Sequence, residues 1–170
     1  MTEAGAPEPD VATDDAARPA IGVGPIVALA GGILLAVSSW LAWLNSFELP
    51  GAVGRSEPFS GYDTPARFLV DNDADLGGPS IGVLVLVVGT VALVGAIVRG
   101  AEPLALLAGV LGAVVGGLYV FQLSKRVDVI NDELGLDASL TDLLGVGAYV
   151  AFLGGIAAIV GAVLALLRRM

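Results

Sequence analysis

The chain of 170 residues is 56% hydrophobic, carries 17 acidic and 8 basic residues for a net charge of −9, and has neither cysteine nor histidine. That balance excludes nucleic acid as a partner, because a phosphate-binding surface needs clustered Lys and Arg. It also removes disulfides, thiolate nucleophiles, Cys-based metal sites and the imidazole proton shuttle.

Charges are gathered in a few islands, and between them lie four charge-free windows, 19–47, 76–98, 103–124 and 143–167. Each reaches the roughly 20 apolar residues that a bilayer-crossing helix needs. Strands of about 4 to 8 residues would require turn signals inside these windows, and a transmembrane barrel would show alternating polar positions. Neither is present, so helices, which satisfy their own backbone hydrogen bonds in lipid, are the expected elements. The fold class predicted is all-α: a four-helix transmembrane bundle with two extracytoplasmic loops. Its domain, 21–170, contains spans at about 21–44, 80–98, 104–123 and 143–167, and follows a disordered acidic tail at 1–20.

The tail holds Glu3, Glu8, Asp10, Asp14 and Asp15 among Ala, Pro and Thr, a composition too polar to bury a core. It is not a secretory signal peptide, since only Arg18 precedes the apolar run and the run is too long for a cleaved leader. In the first span Pro25 sits near the start, where a missing N–H is tolerated. Ala28, Gly32 and Ala36 recur every four residues as a smooth packing face. Trp40 and Trp43 near the far end read as interfacial anchors, each with an apolar body and one N–H donor.

The first large loop, 45–79, contains Ser60-Gly61-Tyr62-Asp63-Thr64-Pro65. Asp63 or Thr64 before Pro65 suggests a short helix to Val70, with Ala66, Phe68, Leu69 and Val70 on the membrane surface. The second span has Gly82, Gly89 and Ala96 at heptad spacing. The short Arg99-Gly100-Ala101-Glu102-Pro103 connection makes it an antiparallel hairpin with the third. In the second large loop, 124–142, Val127, Ile130, Leu134 and Leu136 recur at near-helical spacing, which predicts that part of the loop continues the third helix beyond the membrane. Ser139 or Thr141 is the candidate N-cap of the fourth span.

Both large loops share one side. The other side concentrates Arg99, Arg168 and Arg169 in short segments, which sets the termini in the cytoplasm and the chain in the plasma membrane. All the aromatics fall in the large-loop half of the molecule. A generic anchor predicts two belts, so a single belt points either to a cap in which helix ends and loops pack together or to anchoring by aromatics in one leaflet and by the basic termini in the other.

No catalytic, cofactor-binding or metal-ligating residue is assigned. Asp71, Asp73 and Asp75 begin like a calcium loop, but Leu76 stands where the turn glycine belongs and Gly82 where the closing acid belongs. They are read as an acidic flank of the second helix. Ser60, Tyr62, Asp63 and Thr64 offer hydroxyls and a carboxylate without a histidine base, and are read as a turn. No span carries a midplane charge of the kind transporters use; Ser38, Ser39, Thr90 and Gln122 are the polar residues left for a pathway.

Trp40-Leu41-Ala42-Trp43 at the end of the first span, then Ser60-Gly61-Tyr62-Asp63-Thr64, then three Gly/Ala/Val/Leu spans, resembles small four-span membrane proteins of high-GC actinobacteria and halophilic archaea. The resemblance implies the four-span fold and the membrane location, with no activity attached. The layout is also similar to that of claudins and tetraspanins, from which this chain departs by lacking their loop cysteines. The function expected is a non-enzymatic multi-pass accessory or scaffold, acting through helix-helix and extracytoplasmic-loop contacts. Its partners would be the bilayer and a second copy or another membrane protein, with no cofactor. The alternative is a small transporter or channel component.

Overall fold

The computed structural model describes residues 22–46, 57–70, 78–135 and 137–169. The tail at 1–20 and the carboxylates of Asp71, Asp73 and Asp75 lie outside these residues. The described chain is mostly helical: α1 (Val23–Ser38), α2 (Ile81–Ile97), α3 (Glu102–Leu134), the single turn α4 (Leu140–Leu143) and α5 (Val146–Leu167). Two short antiparallel strands, β1 (Ala42–Leu44) and β2 (Phe59–Ser60), and a 3-10 turn at Ala66–Leu69 complete it.

Helices α3 and α5 are long and apolar enough to cross a membrane, while α1 and α2 are shorter apolar helices. At 1.5 Å per residue, α1 and α2 measure about 25 Å and α3 about 50 Å. The second span begins one residue later than expected, with Ser80 as N-cap accepting from the Val83 N–H. The third helix runs past the apolar window, as its periodicity in the loop predicted, to Gly135, whose φ of 62° suits glycine at a helix end.

Two boundaries differ from expectation. The first span stops being helical at Ser38, and the residues expected to finish it turn into β1. Local bonds contribute: the Ser38 and Ser39 hydroxyls donate to the Leu35 and Ala36 carbonyls at 2.7 Å, and the Trp43 indole N–H donates to the Ser38 carbonyl at 2.8 Å. These bonds occupy carbonyls at the helix end and draw the chain back across it. The fourth helix starts at Val146, because Ser139 caps α4 instead, in a reciprocal capping box with Asp142.

Four long helices pack side by side in the order α1, α2, α3, α5, with α5 closing back on α1 and few contacts across the diagonals. The interior is built from small residues: Gly24, Ala28 and Gly31 of α1 meet Gly154, Ala158, Gly161 and Ala165 of α5. A Cβ at Gly24 would lie 2.6 Å from the Ala165 nitrogen, and one at Gly161 would overlap the Ala28 backbone. In the sequence, Gly112 and Gly116 on the third span and Gly147, Ala151 and Gly155 on the fourth repeat every four residues, a spacing that predicts these two spans as the tightest seam. Gly116 and Gly155 do lie in that seam, but α1 and α5 make the more extensive one.

Leu35, Ile81, Val85 and Leu123 are buried between the helices, while many other large aliphatic side chains face outward. Ile33 and Val37 on α1, Val87 and Val94 on α2, Leu107 and Leu111 on α3, and Leu153 and Val160 on α5 are all exposed.

Candidate functional site: the capped end of the helices

At one end of the helices the loops fold into a cap around Trp43. The indole has no exposed surface, so this residue is a core element and the interfacial-anchor reading is corrected. It meets the Tyr119 ring edge-on, with centroids 5.0 Å apart and planes at 88°, a favoured aromatic geometry. Its seat is made by a glycine of the first large loop and one at the start of α5. A Cβ at Gly61 would lie 3.0 Å from the indole nitrogen, and one at Gly147 would lie 2.6 Å from Cδ1. Trp40, three residues earlier, is 60% exposed and stacks at a tilt on Tyr62, 5.9 Å between centroids. The two tryptophans thus split into an internal and an external role.

The backbone of the cap is stitched to the helix starts. Gly145 N–H donates to the Trp43 carbonyl and Asn45 N–H to the Leu143 carbonyl, both at 2.9 Å. The Asn45 side-chain amide adds bonds to the Asp142 and Leu144 carbonyls, each 3.1 Å. On the other side, Ile81 N–H reaches the Thr64 carbonyl at 2.8 Å and Gly82 N–H the Gly61 carbonyl at 2.7 Å. The first N–H groups of α2, which have no partner within the helix, are therefore satisfied by the loop 61–64. Asn131 on α3 clasps Ala138 through both its amide groups.

The expected short helix at Pro65–Val70 is a 3-10 turn with Pro65 just ahead of it and no side-chain cap. It does not lie as a flat apolar surface. Leu69 is buried, Phe68 packs 5.3 Å from the Tyr119 ring, and only Val70 points away, 84% exposed. Lys125 and Arg126 sit over the Phe121 and Phe68 rings at 4.2 and 4.6 Å, so two of the cap's cations rest on aromatic faces.

Ser60, Tyr62, Asp63 and Thr64 form the turn read from the sequence. The Asp63 carboxylate accepts from the Ser60 hydroxyl at 2.6 Å and its N–H at 2.9 Å. These bonds hold the Asp63 carboxyl below its ordinary value. The Ser139 hydroxyl and N–H do the same for Asp142. Both carboxylates are committed to shaping backbone. The four polar residues left for a pathway do not converge. Ser38 and Ser39 bond within α1, Thr90 donates outward-facing on α2 to the Leu86 carbonyl at 2.8 Å, and Gln122 donates to the Leu69 carbonyl at 3.0 Å.

Sequence reasoning brought Trp40, Trp43 and the 60–64 loop onto one side but did not anticipate their contact. Nor did it single out Gly145 and Asn45, whose bonds join the two loops. The one available signal was glycine on both sides of Val146 at the head of an otherwise apolar helix. Among the described residues no group of three or more acidic, His or Cys residues is placed to hold a metal ion. Comparison with protein-family models, with curated proteins and with solved structures finds no match for this chain.

Proposed function

We propose that the chain is a non-enzymatic four-span membrane protein of the plasma membrane. Its cap faces outward, both termini lie in the cytoplasm, and it serves as an accessory or scaffold by presenting the rigid cap and its helix faces to another membrane protein. The observation that carries the reading is the inverted distribution of side chains: Gly and Ala fill the seams while Val, Leu and Ile cover the outer faces of all four long helices. In water such continuous apolar surface is rare on a monomer. In lipid it is the expected exterior, and small residues are what allow helix backbones to approach. The outer faces of α1 and α2 share this composition, which supports all four as spans although two are short.

The scaffold reading over transport rests on how the polar groups are used. The adjacent Ser38 and Ser39, Thr90 and Gln122 each bond to a backbone carbonyl, and no Asp, Glu, Lys or Arg occurs within the apolar windows. The cap, by contrast, is preformed and displays the Trp40–Tyr62 pair on its surface, and exposed aromatics on rigid supports are typical contact anchors.

The absence of native cysteine makes the topology directly testable. Single cysteines at Glu57 and Asp137 react with an impermeant maleimide in intact cells, and one at Ala101 reacts only after permeabilisation; the reverse pattern overturns the orientation. A photocrosslinking amino acid at Trp40 captures the same discrete protein in repeated preparations. Crosslinks to lipid alone, together with solute flux in reconstituted vesicles, would favour the transport reading.

A further inference from the structure

At the end opposite the cap, the starts of α1 and α3 and the ends of α2 and α5 enclose a recess of about 630 Å³, within the range of small-ligand sites. Its walls are aliphatic, with Ile26 and Leu29 from α1 and Ile97 and Val98 from α2. Its mouth carries Arg99, Arg168 and Arg169 against, among the described residues, a single carboxylate, Glu102. Glu102 is largely buried and ion-paired with Arg169. That pair neutralises itself and ties the start of α3 to the end of α5. Among the described residues no carboxylate pairs with Arg99 or Arg168, which leaves two guanidinium groups over an apolar slot.

We propose that this recess binds one anionic phospholipid, its phosphate held by Arg99 and Arg168 and one acyl chain lying against Ile26, Leu29 and Ile97. The assignment rests on the membrane-spanning reading above. Guanidinium groups bind phosphate through paired, charge-assisted hydrogen bonds, and basic recesses between helix ends at the cytoplasmic surface are suited to anionic headgroups. The rival occupant within the chain is the acidic segment 1–20, which precedes in sequence Gly22, a residue that lines the recess. It would satisfy the arginines but not the walls: between Met1 and Ile21 its only large aliphatic residue is Val11. A lipid satisfies both.

The test uses the full chain in a neutral detergent, with thermal unfolding followed during titration by phosphatidylglycerol, by phosphatidylcholine of the same acyl chains, and by inorganic phosphate. Phosphatidylglycerol raises the midpoint at low molar ratio and the other two do not. Arg99→Gln with Arg168→Gln weakens that response by about tenfold or more, as expected from losing two charge-assisted contacts, while the midpoint in phosphatidylcholine stays unchanged and so reports intact folding. Leu29→Trp, which fills the slot, weakens the response without altering charge.

Equal responses to the two lipids, or a full response in the double Gln variant, overturn the proposal. So does an equal response to inorganic phosphate, which would mark a free-anion site. Neutralising Glu3, Glu8, Asp10, Asp14 and Asp15 to their amides leaves the phosphatidylglycerol affinity within about twofold, since their loss removes only screened long-range charge. A tenfold gain instead would show that the acidic segment is the resident occupant. Resistance of the same protein to alkaline carbonate extraction from membranes tests bilayer embedding separately, so failure of the lipid site is distinguishable from failure of the spanning reading.

Discussion

Leu35 is the side chain on which the interior between α1 and α3 closes, and its pairing with Gly112 gives a sharp test of the packing. Leu35 has no exposed surface. The three atoms nearest to a Cβ added at Gly112 all belong to it: the added carbon would overlap Cδ2 and lie 3.0 Å from Cδ1 and 3.3 Å from Cγ. Gly112→Ala alone therefore overpacks the site at about 1–3 kcal/mol, offset by about 1 kcal/mol for replacing glycine inside a helix. The net is a destabilisation of up to ~2 kcal/mol. Leu35→Ala leaves at most about 80 Å³ unfilled, which at about 24 cal/mol per Å³ costs about 2 kcal/mol. The transfer part of the usual cost is small when the separated helices already sit in lipid.

In the double variant the new methyl enters the vacated space and fills about a third of it, while the helix-propensity gain remains, so Gly112→Ala becomes stabilising by ~1–1.5 kcal/mol. The sign of one substitution thus reverses with the identity of the other residue. Unfolding in mixed micelles at increasing dodecyl sulfate fraction, followed by circular dichroism, reads all four corners of the cycle. Additivity within about 0.5 kcal/mol, or stabilisation by Gly112→Ala in the parent chain, would refute the contact and with it the placement of α1 against α3.

The two tryptophans should respond oppositely in the same assay. Trp43→Phe loses the bond to the Ser38 carbonyl and part of a buried ring, about 2 kcal/mol, whereas Trp40→Phe stays within about 0.5 kcal/mol. Acid should loosen the cap before the helices. The carboxyls of Asp63 and Asp142 have folded values below the ordinary 3.8, so their contribution is complete above that value and is lost as pH falls through the lower folded values. With Trp40 as sole tryptophan in a Trp43→Phe chain, its fluorescence reports this transition, which Asp63→Asn shifts or removes; an unchanged profile would show that the turn does not depend on the carboxylate. Gly155→Leu should lower monomer stability by at least ~1–3 kcal/mol without changing any crosslinked-dimer yield, because Gly155 faces Ala113 and Gly109 of its own chain; lost dimer with unchanged monomer stability would place that face between copies.

The helices were legible wherever hydropathy alone decides. The expected 80–98 against the observed Ile81–Ile97, and the extension of the third helix to Leu134, followed from apolar runs and periodicity. The end of α1 was not legible, because Ala42, Trp43 and Leu44 are apolar in either conformation. What turns them into a strand is pairing with Ser60 and with Leu144, partners that a local pattern does not contain. The stripe Ala28, Gly32, Ala36 shows a related limit. Successive steps of four drift around the helix, since four residues turn it through more than one full revolution. In the structure Ala28 faces Gly161 of α5 while Gly32 faces Leu93 of α2 and Ala36 faces Gly89 of α2. One apparent packing face therefore serves two neighbours. The α1–α5 seam was hidden for another reason: it joins the ends of the chain, and connection lengths speak only for consecutive helices.

If the chain spans a bilayer as proposed, the shortness of α1 and the construction of the cap are two sides of one physical requirement. A helix of about 24 Å does not fill a hydrocarbon layer of about 30 Å, and backbone that leaves the helix within that depth must be satisfied inside the protein. Residues 39–45 meet this requirement. The N–H groups of Ser39, Trp40 and Leu41 return to the Ala36, Val37 and Ser38 carbonyls at 3.2, 3.1 and 3.3 Å. β1 pairs with β2 on one side and with Leu144 on the other, and Asn45 is bonded through both its backbone and its side chain to the segment that begins α5. In the proposed setting the chain gives up nearly two turns of α1 and gains a cap in which both loops and the starts of α2 and α5 are bonded to one another. The Trp40–Tyr62 pair is thereby held on a rigid support instead of on a free loop, the arrangement that a contact surface requires.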